Sequence, residues 1–210
     1  MIDIIDQIII EFDKGLQSSF SNREESKRAY PGELVAETSM NEDERNHSAG
    51  LMRVNHAGEV CAQALYRGQS IATQNKTLKE HLTKAAEEEE DHLYWCNKRL
   101  NELQSNSSVL DPIWYGVSFS MGVLSGLAGD KWSLGFVEET EKQVVKHLDS
   151  HLDAISKNDK RSKKIIKQMR KDEDTHAEEA KEAGASELPQ EVKKGMSLVA
   201  KVMTSTSYYI

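Results

Sequence analysis

Only three prolines, Pro31, Pro112 and Pro189, interrupt this chain of 210 residues. Proline breaks helix interiors, so the stretches between these three can carry long continuous helices. With 12 glycines beside them, turn signals are too sparse for an all-β sandwich, which needs one about every ten residues. The length suits one domain with a substantial core and an appended arm.

Charge and cysteine usage narrow the class. Lys plus Arg is 27 against 35 Asp plus Glu, a net charge of −8, which argues against a nucleic-acid partner. Cys61 and Cys96 cannot build a disulfide framework, and without a CxxC pair no rubredoxin-type or zinc-ribbon site exists. The N-terminus shows no basic region with a small-residue cleavage site. An intracellular helical protein is expected.

Residues 1 to about 20 alternate isoleucines with acids and read as one amphipathic helix. A polar arm around Pro31-Gly32 follows, so residues 1–47 form an N-terminal unit and 48–210 the main domain. From Leu51 onward, apolar residues recur at steps of three and four. Leu51, Val54, Cys61 and Leu65 mark a first helix; Leu82, Ala86, Leu93 and Leu100 a second. Leu134, Val137, Val144 and Leu148 mark a third; Ile166, Met169 and Ala180 a fourth, stopped by Gly184 as a C′ glycine would. A short amphipathic helix over 192–203 closes the chain. The pattern is that of an all-α four-helix bundle, two hairpins joined by a long crossover, with short flanking helices.

The crossover, 112–129, contains no charged residue. Three readings stay open: a buried helical hairpin at the bundle end, a surface facing lipid, and a membrane-spanning helix, although seven Gly or Ser and one Pro weaken the last. The basic run from Lys157 to Lys171 reads as the exposed face of the fourth helix, or as a surface for anionic lipid or a partner.

The informative feature is a set of errors in the apolar pattern. Glu89, Glu141 and Glu173 occupy stripe positions where Leu or Ala belongs, and Glu59 lies beside the first stripe. A carboxylate buried alone is costly unless protonated, paired or bound to a cation. Four of them, one per helix, call for a shared partner. Histidines complete the set, because Glu89–His92 and Glu173–His176 are both ExxH, a spacing that puts both side chains on one helix face. A third match, Glu44–His47, falls in the polar arm off any stripe. Glu59 precedes Glu89 by 30 residues and Glu141 precedes Glu173 by 32, as two similar hairpins would require. Carboxylate oxygens with imidazole nitrogens suit iron or manganese, and one Glu from each of two helices with ExxH from the other two is the ferritin-like di-iron pattern. On the third helix Glu138 competes with Glu141, which keeps the stripe and the matched spacing. Of the acids from Glu87 to Asp91, all but Glu89 read as a solvated face. Cys61 and Cys96 read as small apolar fillers.

The segment Arg53-Val54-Asn55-His56-Ala57-Gly58-Glu59 resembles the RVxHAGE signature of the demethoxyubiquinone hydroxylase family of ubiquinone biosynthesis. The resemblance continues through Glu89–His92, Glu141 and Glu173–His176 and covers residues from about 50 to the C-terminus; residues 1–45 carry no motif of the family. It implies a ferritin-like bundle holding two iron ions, with Glu89 and Glu173 as bridging ligands, Glu59 and Glu141 as terminal ligands, and His92 and His176 as one nitrogen ligand for each iron. In that family a histidine six residues after the third-helix ligand belongs to the hydrogen-bond shell, a position held here by His147. The tyrosine that can follow it is Leu148. No catalytic residue beyond the metal ligands is implied.

The activity implied is hydroxylation of a polyprenylated methoxybenzoquinol, with O2 as co-substrate. A polyprenyl tail needs an apolar entrance, for which segment 112–129 and the Ile-rich start are the candidates. Peripheral attachment to the cytoplasmic face of a bacterial inner membrane would follow, with other ubiquinone-biosynthesis proteins or a second copy as further partners. Three alternatives remain. The acidic balance speaks against a tRNA hydroxylase and the missing CxxC against a rubrerythrin-type peroxidase; a non-enzymatic iron-binding or membrane-bound helical protein would show no oxygen chemistry.

Overall fold

The computed structural model describes Asp6, Ile9, Ile10, Phe12, Asp13 and residues 26–210. The N-terminal helix expected over 1–20 lies largely outside the described residues, although the five described there are helical. Six long helices follow: α1 (Glu42–Ala72), α2 (Lys76–Glu102), α3 (Asp111–Leu127), α4 (Asp130–Ala154), α5 (Lys160–Glu182) and α6 (Gln190–Ser207). No strand occurs among the described residues.

Local chemistry sets the ends of these helices. α1 starts at Glu42, well before Leu51, because Asn41 accepts from the Glu44 amide while the Glu44 carboxylate accepts from the Asn41 amide, a reciprocal capping box. Glu44 and His47 therefore belong to the first turns of α1 and not to the arm. Asn75 caps α2 by accepting from the Leu78 amide and Asp159 caps α5 by accepting from the Ser162 amide, each without a return bond. Gly184, at φ +99°, stops α5. Gly129, at φ +113°, makes the tight turn between α3 and α4 in a conformation that side chains resist.

α1 and α2 form one antiparallel hairpin, α4 and α5 the other, and the two close against each other through α1–α4 and α2–α5. The crossover is neither a buried hairpin nor a membrane span. It is a single helix, α3, running parallel to α1 from the His56–Asp111 contact at one end to Ala72 and Gly126 at the other. No helix among the described residues is long and apolar enough to cross a membrane. Glycines let α1 and α3 nearly touch: a Cβ on Gly68 would lie 2.3 Å from the Phe119 carbonyl oxygen, and one on Gly122 2.2 Å from that of Leu65. Gly122→Val should force these backbones apart and lower unfolding free energy by about 3 kcal/mol in urea titrations; an unchanged midpoint would contradict the packing described.

The arm from Ser26 to Asn41 lies over α2 and α5, where buried Arg99 gathers it in. All five guanidinium N–H donors find acceptors, on Ser162, Glu37, Glu102 and Asp159. The core divides in three. One cluster, with Met52, Trp95, Leu100, Leu148 and Ile166, fills one end of the bundle, another, with Tyr66, Leu82, Val137 and Ala180, fills the other, and a third, with Val60, Leu93 and Phe119, joins α3 to α1 and α2. Polar residues are buried between the first two.

Candidate metal centre

Each bundle helix contributes to that polar layer. Glu59 on α1, Glu89 and His92 on α2, Glu141 on α4, and Glu173 and His176 on α5 are all buried. Ligand atoms of Glu59, Glu89, His92 and Glu173 lie within 4.8 Å of one another, a group able to hold a metal ion. The arrangement is nearly two-fold. His92 Nδ1 is 3.0 Å from Glu89 Oε2 and 2.9 Å from Glu173 Oε1. His176 Nδ1 is 3.4 Å from Glu89 Oε1 and 3.2 Å from Glu173 Oε2. The two central glutamates thus give one oxygen to each histidine. Glu59 Oε2 adds to the His92 side at 3.4 Å. Glu141 lies against Glu173 on the other side, and one of its oxygens accepts from the Tyr66 hydroxyl. Of the competing α4 glutamates, Glu138 pairs with Lys142 and Glu139 with Gln143, both away from the cluster.

This donor set fits cations better than protons. Three carboxylate oxygens crowd His92 Nδ1, and one N–H can serve only one of them well. Glu141 Oε2 is buried without a hydrogen-bond partner, and Glu89 Oε1 and Glu173 Oε1 have only the already crowded histidine nitrogens within reach. Burial, then the Glu173 charge, holds Glu59 well above the usual carboxylate range; burial, then Glu173 and Glu89, does the same to Glu141. Burial also opposes charge on Glu89, but hydrogen bonds to His176 and His92 outweigh it and keep that carboxyl ionised. Burial likewise disfavours the His92 cation, yet Glu173 and the bond to Asp172 raise its pKa well above normal. The layer draws positive charge inward, which metal ions can supply.

The far nitrogens of the histidines reveal two partners, Glu88, which the sequence placed on a solvated face, and Asp172, which it did not single out. His92 Nε2 is 3.1 Å from Asp172 on α5, and His176 Nε2 is 2.9 Å from Glu88 on α2. Each hairpin therefore holds the other's histidine, in the way outer-shell carboxylates fix metal-bound imidazoles. One signal was available: both ExxH units are preceded directly by an acid, Glu88 before Glu89 and Asp172 before Glu173. The remaining acids of that run are also engaged. Asp91 accepts from Ser26 and the Lys27 amide, and Glu90 and Glu87 form ion pairs with Arg67 and Lys27. Arg28 completes the α5 side, donating to Asp172 at 2.7 Å and lying 4.8 Å over the Trp95 ring. From Lys160 onward the basic run does form an exposed face of α5, with Lys160, Lys164, Lys167 and Lys171 in solvent, while exposed Lys157 lies in the turn before the helix.

A cavity of about 440 Å³ reaches Glu59 from the opposite side, between α1, α3, α4 and α6. Trp114 and Met121 of α3 line it, with Val144 and Leu148 of α4 and Met196 and Met203 of α6. Cys61, half-buried, faces it, while Cys96 is buried beside Met169. His147 also lines this cavity, its ring 3.9 Å from that of His151 and its Nε2 without a hydrogen-bond partner.

His151 provides a test of this packing. Burial, then the neighbouring His147 and His47, pushes its pKa down to about 3. A depressed folded-state pKa means stability that is complete above the unfolded value near 6.5 and is lost as pH falls toward 3. By pH 5 His151 should cost the wild type about 2 kcal/mol relative to neutral pH, a loss that His151→Leu does not share. Urea titrations at pH 7 and pH 5 measure the difference, and equal losses in both proteins would rule it out.

Residues 45–207 match the family described as ubiquinone biosynthesis protein COQ7. The chain is 50% identical over 207 residues to the 3-demethoxyubiquinol 3-hydroxylase of Chromobacterium violaceum, covering 99% of this chain and 100% of that one. The same identity extends over 206 residues to the enzymes of that name from Acinetobacter baumannii, with 98% and 97% covered, and Nitrosococcus oceani, with 98% and 96% covered. The family match starts at 45, but these alignments run through nearly the whole chain, so the arm is shared with relatives although it carries no recognisable motif. Half-identity along so much of both sequences goes far beyond a common helical architecture, and the chain belongs to the ubiquinone biosynthesis protein COQ7 family.

Proposed function

We propose that this protein is a 3-demethoxyubiquinol 3-hydroxylase, an O2-dependent oxidoreductase that inserts a hydroxyl at the unsubstituted ring carbon of a polyprenylated methoxybenzoquinol. The observation that carries the reading is the sharing of Glu89 and Glu173 between two histidines in a buried layer that an apolar cavity reaches at Glu59. Glu59, Glu89, His92, Glu141, Glu173 and His176 would hold two irons, Glu89 and Glu173 being the pair placed to serve both. When bound, two ferrous ions supply one electron each toward O2. The protein's own contribution is positional. Asp172 and Glu88 fix the two imidazoles, Tyr66 holds Glu141, and the apolar cavity walls keep water from the reacting ring.

The test is quinone profiling of a strain lacking the gene. Accumulation of demethoxyubiquinone, reversed by the wild-type gene, is expected; a normal quinone profile in the deletion strain would sink the proposal. The alternative peroxidase and storage readings offer no use for an apolar cavity at the metal layer.

The substrate's tail also argues for peripheral attachment to a membrane, at the cytoplasmic face of the bacterial inner membrane. Ile113, Val117, Leu124 and Leu127 on α3 and Leu198, Val199 and Val202 on α6 are exposed, and both helices line the cavity. Exposed Lys194 and Lys201 give α6 the apolar face and basic flank of an interfacial helix. The lysine run of α5 sits on a helix packed against α2 and α4, away from this surface. Flotation with anionic vesicles should recover the wild type, while the triple variant Val117→Glu, Leu124→Glu, Leu198→Glu should stay in the soluble fraction. Undiminished flotation of that variant would reject this surface.

A further inference from the structure

Two buried polar side chains line the cavity, Glu59 and Asn55. The other polar residues along it are partly buried, as Thr140, Gln143 and His147 are, or exposed, as Lys146 and Ser150 are. Asn55 lies one helical turn before Glu59, on the same face of α1. It is 3% exposed, yet its Oδ1 has no hydrogen-bond partner and its Nδ2 reaches only the Met52 sulfur, at 3.7 Å. A thioether is a weak acceptor. Burying an amide so poorly served costs stability, and an apolar side chain of similar size would avoid that cost. A fold that keeps an amide here has a use for it when the cavity is filled.

Between Asn55 and Glu59 stands Gly58. A Cβ built there meets nothing within 4 Å, so close packing does not demand the glycine. Its effect is to leave open space along the cavity wall, between an unpaired amide and a glutamate of the metal layer. That space has its buried polar corner at Asn55 and Glu59 within mostly apolar surroundings, the usual composition of a site that orients a mostly apolar ligand.

We propose that Asn55 orients the quinol ring. Its Oδ1 accepts a hydrogen bond from the ring hydroxyl next to the unsubstituted carbon, the ring lies in the space left by Gly58, and that carbon faces Glu59. The inference rests on the function proposed above and adds to it the residue that selects ring orientation. It also gives two residues of the RVNHAGE segment a task other than metal binding.

The test pairs a variant with a substrate analogue. Asn55→Leu matches the volume and removes the acceptor; an analogue methylated on that hydroxyl removes the donor. For the wild type, methylation should lower kcat/KM about tenfold, the equivalent of roughly 1.4 kcal/mol for one hydrogen bond. Asn55→Leu, holding iron like the wild type, should lose about the same factor on the natural quinol and nothing more on the analogue. It should also release more hydrogen peroxide per quinol hydroxylated, a leak that a merely structural change would not produce while iron content stays normal. Equal kcat/KM for quinol and analogue in the wild type would overturn the proposal, and this arm decides even if the variant fails to fold or to load. A wild type that never hydroxylates the quinol would refute the proposed function instead.

Discussion

Glu89→Ala should abolish quinol hydroxylation and the uptake of paired iron together. Glu89 gives one oxygen toward each histidine, so its loss strips both halves of the site at once. The fall in turnover should exceed the roughly 10–100-fold that losing an outer partner brings; Glu88→Gln and Asp172→Asn should stay within that range. A readout independent of turnover is available. Ferrous iron at a hundred times its dissociation constant should stabilise the anaerobic wild type by about 3 kcal/mol, a rise in melting temperature of about 6–10 °C. Glu89→Ala should show almost none of it. If the variant melted with the same iron-dependent rise as the wild type, Glu89 would not be a shared ligand.

The second large effect belongs to Arg99, far from the metal layer. Its guanidinium is fully buried, and it holds the buried Asp159 that caps α5 together with Glu37 of the arm and Glu102 of its own helix. Removing one partner of a buried ion pair costs about 3–5 kcal/mol because the other charge is left stranded. Arg99→Ala should therefore lower the melting temperature by about 10 °C or more. Arg99→Met combined with Asp159→Asn, which removes the stranded charge, should recover part of the loss. Calorimetry separates the two outcomes. A single variant as stable as the wild type would mean that the network contributes nothing net.

How legible was this molecule in its sequence? The four bundle helices were, because Leu51, Leu82, Leu134 and Ile166 start apolar stripes of helical period that tertiary packing then satisfies. The metal layer was legible for the opposite reason: Glu89, Glu141 and Glu173 violate those stripes, and burial of all three removes the bland explanation. The crossover was not. A run without charges fits a hairpin, a lipid face or a span equally well, and only the near contact of Gly68 with Gly122 reveals a helix laid along α1. Glu88 and Asp172 were hidden too, since an acid on a half-solvated helix face looks the same whether or not a histidine from another helix reaches it. The arm gave the least signal, because its hold on the bundle comes from single side chains such as Arg28 and Glu37, which leave no periodic trace.

The exchange of carboxylates between hairpins carries a consequence for engineering. Glu88 steadies His176 and Asp172 steadies His92, so on the proposed reading neither half of the chain would contain a finished coordination shell. Were the protein cut in the loop between α2 and α3 and its two fragments produced separately, each would carry histidines lacking their anchors. Tight metal capture would then return only on reassociation. The metal layer is in this sense a coincidence detector, and uptake of a coloured ion would report fragment complementation without any added label.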